Sequence, residues 1–139
     1  TTNNRESIDA TLAELHESTA GLIFGNLIEF DQVWGHRNDP HGYARALTEF
    51  DERLPTLLAA LRPDDLLVIT GDHGCDPTTP STDHSREHVP LLVAGTLCGP
   101  GVSLGVRSSF ADVGQTVCEL LGTRPLDAGT SFATDVLLS

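Results

Sequence analysis

The chain has 139 residues, of which 39% are apolar, 20% charged and 5% aromatic, a composition typical of one globular domain. All eight cations are arginine and they stand against 20 acidic residues, so the formal net charge is −12. A surface this acidic disfavours nucleic acid and anionic lipid as partners. No apolar run approaches the roughly 20 residues that a membrane-spanning helix needs, and no export signal is visible, so no membrane partner is expected.

The three cysteines indicate a reducing environment. Cys75, Cys98 and Cys118 are odd in number and never spaced as C-x-x-C, which disfavours both a disulfide framework and a zinc knuckle. We therefore expect a cytoplasmic protein.

The first half of the chain predicts a helix, a strand and a second helix. Apolar residues at helical spacing predict the first helix around residues 8–15, and residues 21–30 (GLIFGNLIEF) are typical of a buried strand. After a polar turn, a long helix follows, which Pro55 is expected to kink or split. Its predicted inward face consists of Tyr43, Leu47, Phe50, Leu54, Leu58 and Leu61.

The second half predicts two more strands and a helix. Residues 65–71 (DLLVITG) and the segment VPLLVAG from Val89 are both typical of buried strands. A helix is predicted to open at Ser109, with Asp112 in capping-box spacing, to turn Phe110, Val113, Val117 and Leu121 inward, and to end at Gly122. The tail is expected to add a short amphipathic turn or two. Strand, helix and strand in this order predict an α/β fold with a mostly parallel sheet flanked by helices.

Two polar loops follow the first two predicted strands. Because parallel strands end at the same edge of a sheet, the loops beginning at Asp31 and Asp72 are expected to face each other. Carboxylate and imidazole groups without thiolate suit Mn²⁺, Zn²⁺ or Fe²⁺, and the set could serve two ions. The candidate metal ligands are Asp31, His36, Asp72, His73 and His84.

Other side chains in the second loop have simpler explanations. Asp76 and Asp83 are interpreted as turn formers. A Ser or Thr hydroxyl with His84 as its base is conceivable, but no G-x-S-x-G elbow supports it. Cys75 is either a reactive thiol or a small packing residue. No Gly-rich phosphate loop of Walker or Rossmann form occurs, so nucleotide binding finds no support.

The loop motifs resemble one known family. The strings FD-x-x-x-GH from Phe30 and DHG-x-DPTTP-x-TDH-x-RE from Asp72 are similar to the C-terminal portion of the phosphopentomutases, members of the alkaline phosphatase superfamily. The likeness covers about residues 8–132. It departs from the family's pattern at Glu29, Trp34, Cys75 and His88, none of which is a candidate ligand.

The resemblance implies a fold, a reaction and a metal arrangement. It implies two Mn²⁺ ions, one held by Asp72 and His73 and the other by Asp31, His36 and His84. Phosphopentomutases move a phosphoryl group between C5 and C1 of ribose or 2-deoxyribose, through a phosphothreonine and a bisphosphorylated sugar. The nucleophilic threonine, a further metal-binding aspartate and the cap domain that contacts the substrate have no counterpart in these 139 residues.

The resulting interpretation is that residues 1–139 are the C-terminal part of an alkaline-phosphatase-like core. We expect this chain alone to be inactive and the sugar phosphate to bind only with the remainder of the protein, which is its expected partner. The alternatives are another phosphatase or sulfatase of the superfamily, a cofactor-independent phosphoglycerate mutase, and a non-catalytic metal-binding module.

Overall fold

The structure is a computed structural model that describes residues 1–17 and 20–138. Within these residues the chain divides into two compact units, the first formed by Thr1–Leu61 and Val68–Leu92 and the second by Arg62–Leu67 and Val93–Ser139. None of the described helices is both long and apolar enough to cross a membrane. The described elements are α1 (Asn4–Glu17), a π-helical turn (Phe30–Gly35), α2 (Pro40–Ala60), β1 (Leu67–Thr70), β2 (Leu91–Ala94), α3 (Ala111–Leu120) and α4 (Ala133–Val136).

The two strands pair with each other in an antiparallel sheet. A Cβ built on Gly71, just after β1, would lie 3.2 Å from Cβ of Val89, just before β2. At the other end, a Cβ on Gly95 would lie 2.5 Å from the carbonyl oxygen of Asp65. The strands are therefore confirmed. They run antiparallel because the chain returns directly beside β1 without a crossover helix, so the described sheet is not the mostly parallel one that was expected.

The strand predicted over residues 21–30 is wrong. Residues 22–27 form no ladder with any described strand, and the π-helical turn begins at Phe30. A strand requires a partner for its backbone N–H and C=O groups, and no described segment provides one here. Leu22 and Phe24 are 62% and 84% exposed, so the apolar pattern behind the prediction has no core to face within the described residues.

Helices α1 and α2 form the helical part of the first unit. Ile8, Ala46 and Leu57 are buried, and the guanidinium of Arg53 on α2 forms an ion pair with Asp9 on α1. The predicted first helix is confirmed, and α2 runs through Pro55 without being split. Its predicted inward face is partly wrong. Leu47 and Leu58 are exposed, and the buried residues are Ala46 and Leu57, each one position earlier in the chain.

The buried face of α3 in the second unit is polar. Asp112 and Thr116 are buried, whereas Phe110 and Leu121 are largely exposed, so the predicted inward face is wrong at both ends of the helix. The Thr116 hydroxyl donates to the carbonyl of Asp112 at 2.7 Å and accepts from the backbone N–H of Phe132 at 3.0 Å. These bonds fix the entrance to α4, whose neighbouring Phe132 ring is completely buried.

Asp112 is the centre of a small network rather than the second half of a capping box. Its carboxylate accepts hydrogen bonds from the backbone N–H of Thr130 and from Nε of Arg107, both at 2.8 Å. Arg107 also donates to the carbonyl of Thr130 at 2.8 Å. The N–H of Thr130 and the nearby guanidinium together hold the pKa of Asp112 below its ordinary value of 3.8.

This network predicts a loss of stability in acid. Because the pKa of Asp112 is lower in the folded chain, its stabilising effect is complete at neutral pH and is lost as the pH falls below about 4. Urea unfolding of Asp112→Asn is therefore expected to show a clear loss of stability at pH 7 and a smaller one at pH 3. Asp127→Asn, which changes an exposed carboxylate of the same unit, is the control. An equal loss at both pH values would contradict the prediction.

Candidate metal centre

The π-helical turn places the first two candidate ligands on one side of the backbone. The N–H of His36 bonds to the carbonyl of Asp31 at 2.9 Å, five residues back. In an α-helix, residues five apart would point about 140° away from each other. The wider turn instead brings Nε2 of His36 to 3.3 Å from Oδ2 of Asp31, which matches the frequent occurrence of π-helical turns at functional sites.

The second loop is held in shape by its own turn residues. Gly74 and Ser85 form an antiparallel bridge, and the Ser85 hydroxyl accepts from the N–H of Asp76 at 2.9 Å. The Asp76 carboxylate accepts from both N–H and Oγ1 of Thr78, at 2.9 and 2.6 Å. Asp76 is therefore a turn former, as predicted, and the loop carries His73 and His84 on its two closing arms.

All of the candidate ligands lie in the first unit, and the three histidines surround the carboxylate of Asp31. Its Oδ1 lies 3.4 Å from Nε2 of His84 and 3.9 Å from Nε2 of His73. The His73 and His84 rings stack with their centroids 3.6 Å apart. Ligand atoms of Asp31, His36 and His84 all lie within 4.8 Å of one another. The two loops therefore meet as expected, although antiparallel strands and a helical turn, not parallel strands, bring them together.

The fifth candidate, Asp72, lies at the edge of this cluster. Its Oδ1 is 3.6 Å from Nε2 of His73, and its side chain is 80% exposed. The structure thus places His73, which is 28% exposed, beside Asp31 together with His36 and His84, and leaves Asp72 as the most exposed of the candidates.

Hydrogen bonds to the imidazoles orient their outer nitrogens toward Asp31. Nδ1 of His36 contacts the carbonyl oxygen of Thr82, and Nδ1 of His73 lies 3.2 Å from the carbonyl oxygen of Gly74. A carbonyl only accepts, so each Nδ1 is the donor in these contacts and Nε2 is the nitrogen that faces the carboxylate, where a neutral ring presents its lone pair. Lone pairs that face each other at such distances need a cation between them, either a proton or a metal ion.

Several features fit a metal ion better than protons. Oδ1 of Asp31 is buried and has no hydrogen-bond partner among the described residues. Three protonated imidazoles around one carboxylate would repel each other, especially the stacked pair. Ligands about 2.1 Å from a shared ion lie roughly 3.0–3.4 Å apart. The distance from Oδ2 of Asp31 to His36 is 3.3 Å and the distance from Oδ1 to His84 is 3.4 Å, so each pair is spaced as two ligands of one ion would be. Carboxylate and imidazole donors without thiolate suit a first-row divalent metal.

Cys75 and Tyr43 show that the surroundings of Asp31 are both partly dry and negative. Burial raises the pKa of the Cys75 thiol, and the charges of Asp31, Asp76 and Glu87 raise it further. The pKa of Tyr43 is raised by burial and then by Cys75 and Asp31. A protonated thiol is a poor nucleophile, and Sγ of Cys75 lies only 2.6 Å from where a Cβ on Gly35 would be. Cys75 is therefore a packing residue beside the turn.

The hydroxyl groups of the second loop are engaged in turns. Oγ1 of Thr78 and Oγ1 of Thr79 donate to Asp76, and the Ser85 hydroxyl accepts from the backbone N–H of Asp76. No described hydroxyl of this loop is hydrogen-bonded to His84. The arrangement therefore gives no support to a Ser or Thr nucleophile activated by that histidine.

The carbonyl groups of Thr82 and Gly74 are parts of the site that the sequence does not reveal. Each orients one imidazole through its Nδ1, which is the usual supporting contact for a metal-binding histidine. Every residue has a carbonyl group, so no residue type marks these positions.

Comparison with known proteins agrees with the chemistry of this cluster. Residues 1–125 match the family described as the metalloenzyme superfamily. The chain is 56% identical over 137 residues to the phosphopentomutase of Kosmotoga olearia, covering 99% of this chain and 35% of that protein. It is 57% identical over 134 residues to the phosphopentomutase of Desulfitobacterium hafniense, covering 96% and 34%. The chain therefore spans about a third of the length of the curated relatives it matches.

Proposed function

The chain belongs to the metalloenzyme superfamily, and from this premise we propose that it is the C-terminal part of the catalytic core of a phosphopentomutase. The proposed reaction interconverts ribose 1-phosphate and ribose 5-phosphate, or their 2-deoxyribose equivalents. The observation that carries the proposal is the convergence of the His36 and His84 imidazoles on the Asp31 carboxylate, whose Oδ1 is buried without a hydrogen-bond partner among the described residues. Identity of 56% to a phosphopentomutase over nearly the whole chain supports the same reaction.

The proposed cofactor is a pair of Mn²⁺ ions. Asp31, His36 and His84 would hold one of them, and Asp72 and His73 would contribute to the other. When bound, two divalent ions neutralise phosphoryl oxygens and stabilise the attacking and leaving oxygens of an in-line displacement. The formal charge of this chain is −12, and two divalent ions would supply positive charge at the place where an anionic substrate binds.

The residues of this chain have defined tasks in the proposed reaction. Asp31 supplies the negatively charged ligand, and the imidazoles of His36 and His84 lie next to its carboxylate. The carbonyls of Thr82 and Gly74 keep Nδ1 protonated in His36 and His73, so that Nε2 remains available as a ligand. The proposed nucleophile is a threonine outside these 139 residues, which forms the phosphothreonine of the reaction.

The remainder of the protein is the proposed partner of the exposed apolar segment. Residues 22–27 carry the exposed side chains of Leu22 and Phe24 and have no ladder among the described strands. The matched relatives are about three times as long as this chain, and in the proposed complete protein the additional residues cover this segment and extend the small sheet into a mostly parallel one. The three free cysteines support a cytoplasmic location.

Substrate assays of the complete protein test this proposal. Loaded with Mn²⁺, it is expected to interconvert ribose 1-phosphate and ribose 5-phosphate, and to leave phosphoglycerates and aryl phosphate and sulfate esters largely unchanged. The 139-residue chain alone is expected to be inactive because it lacks the nucleophile. Turnover of ribose 1-phosphate by this chain alone, or preference of the complete protein for a phosphoglycerate or an aryl ester, would contradict the proposal.

A further inference from the structure

The start of α1 is tied to the residue just before the π-helical turn by two reciprocal hydrogen bonds. The backbone N–H of Asn4 donates to Oε2 of Glu29 at 2.6 Å, and the backbone N–H of Glu29 donates to Oδ1 of Asn4 at 3.1 Å. The two residues are 25 positions apart, and both are partly buried. Each side chain thus binds the backbone of the other residue, which restrains both position and rotation.

Glu29 stands where the backbone changes its hydrogen-bond register. The N–H of Gln32 bonds to the carbonyl of Ile28 at 3.0 Å, four residues back, whereas the N–H of His36 bonds five residues back to Asp31. The side chain of Glu29 does not cap the turn, because it is directed to Asn4 instead. The π-helical arrangement is uncommon, and relaxing it by one residue would rotate His36 by about 100° away from Asp31.

We propose that Asn4 and Glu29 are positioning residues for the metal centre: their reciprocal hydrogen bonds hold the start of the π-helical turn, so that Asp31 and His36 face each other. This inference rests on the proposed function in that the positioned carboxylate is the proposed metal ligand. The aromatic contacts of Phe30 hold the same turn from the other side, with ring centroids 6.1 Å from Trp34 and 5.4 Å from Tyr43. Neither Asn4 nor Glu29 belongs to the group of potential metal ligands around Asp31.

The test compares variants of the pair in two measurements. Mn²⁺ affinity of the complete protein is measured by titration calorimetry, and the imidazole ¹⁵N resonances of His36 are recorded in the metal-free 139-residue chain. Glu29→Ala and Asn4→Ala are each expected to weaken Mn²⁺ binding about 10-fold and to shift the His36 resonances. Glu29→Gln retains an acceptor for the Asn4 N–H and is expected to stay within about threefold of the original affinity.

Glu6→Ala is the matched control. Glu6 also accepts a hydrogen bond near the start of α1, from the N–H of Thr2 at 2.8 Å, and none of the hydrogen bonds of the described residues joins it to Glu29. It is expected to lower helix stability while leaving both measurements unchanged. If Glu29→Ala and Asn4→Ala behave like Glu6→Ala in both, the inference is wrong. If the unmutated complete protein takes up no Mn²⁺, the proposed function fails instead, and the His36 resonances still decide the role of the pair.

Discussion

Replacing Asp31 by Asn is expected to weaken Mn²⁺ binding by the complete protein more than about 100-fold. Changes to groups that merely orient a ligand already cost about 10- to 100-fold, and Asp31 is the carboxylate that His36, His73 and His84 all approach. Asparagine has the same shape but no charge, so the effect reports the electrostatic role of the carboxylate and not a change of packing. Titration calorimetry gives the affinity directly.

Asp83→Asn is the control for this experiment. Asp83 directly precedes His84 in the chain, is exposed, and lies outside the group of potential ligands around Asp31. Its removal changes the net charge by the same amount but leaves the cluster intact. If both variants weaken Mn²⁺ binding equally, the effect is long-range charge and the assignment of Asp31 as a ligand is wrong.

Replacing His84 by Ala is expected to lower kcat/KM of the complete protein for ribose 1-phosphate at least about 100-fold and to reduce its metal content. The imidazole of His84 completes the group with Asp31 and His36, and it also packs on the ring of His73. The substitution therefore removes one proposed ligand, His84, and also the ring that packs against a second proposed ligand, His73. The measurements are mutase turnover in both directions and bound metal by elemental analysis.

His88→Ala distinguishes this role from a general need for histidine in the loop. His88 lies four residues further along the chain and is exposed. This variant is expected to retain both turnover and metal content. Unchanged turnover and metal content in His84→Ala itself would show that His84 is not a ligand.

The sequence predicted the local elements well where the pattern depends on near neighbours. The spacing of apolar residues located α1 and the core of α2, and the short apolar runs located β1 and β2. It failed where burial depends on distant parts of the chain. The apolar run at 21–30 has no paired strand beside it, and α3 buries Asp112 and Thr116 because Arg107, Thr130 and Phe132 satisfy their polar groups.

The candidate ligands were selected by a correct expectation with a wrong structural reason. The loops were expected to meet at the carboxyl ends of parallel strands, whereas Asp31 and His36 reach the cluster from a π-helical turn, and His73 and His84 reach it from a loop between antiparallel strands. The residue types selected these candidates because carboxylate and imidazole groups are dense in both loops. The turn that aligns Asp31 with His36 has no such signature.

The sequence by itself determined the chemistry available to this protein: an acidic chain with carboxylate and imidazole ligands, no phosphate loop, and motifs similar to those of the phosphopentomutases. Residue types carry that information because protonation, charge and metal preference belong to the side chain. The tertiary structure alone decided which ligands meet, which nitrogen of His36 faces Asp31, and that Asn4 holds the turn from 25 residues away. These depend on backbone carbonyls, hydrogen-bond register and long-range contacts, which different residues could provide equally well and which therefore leave no pattern in the sequence.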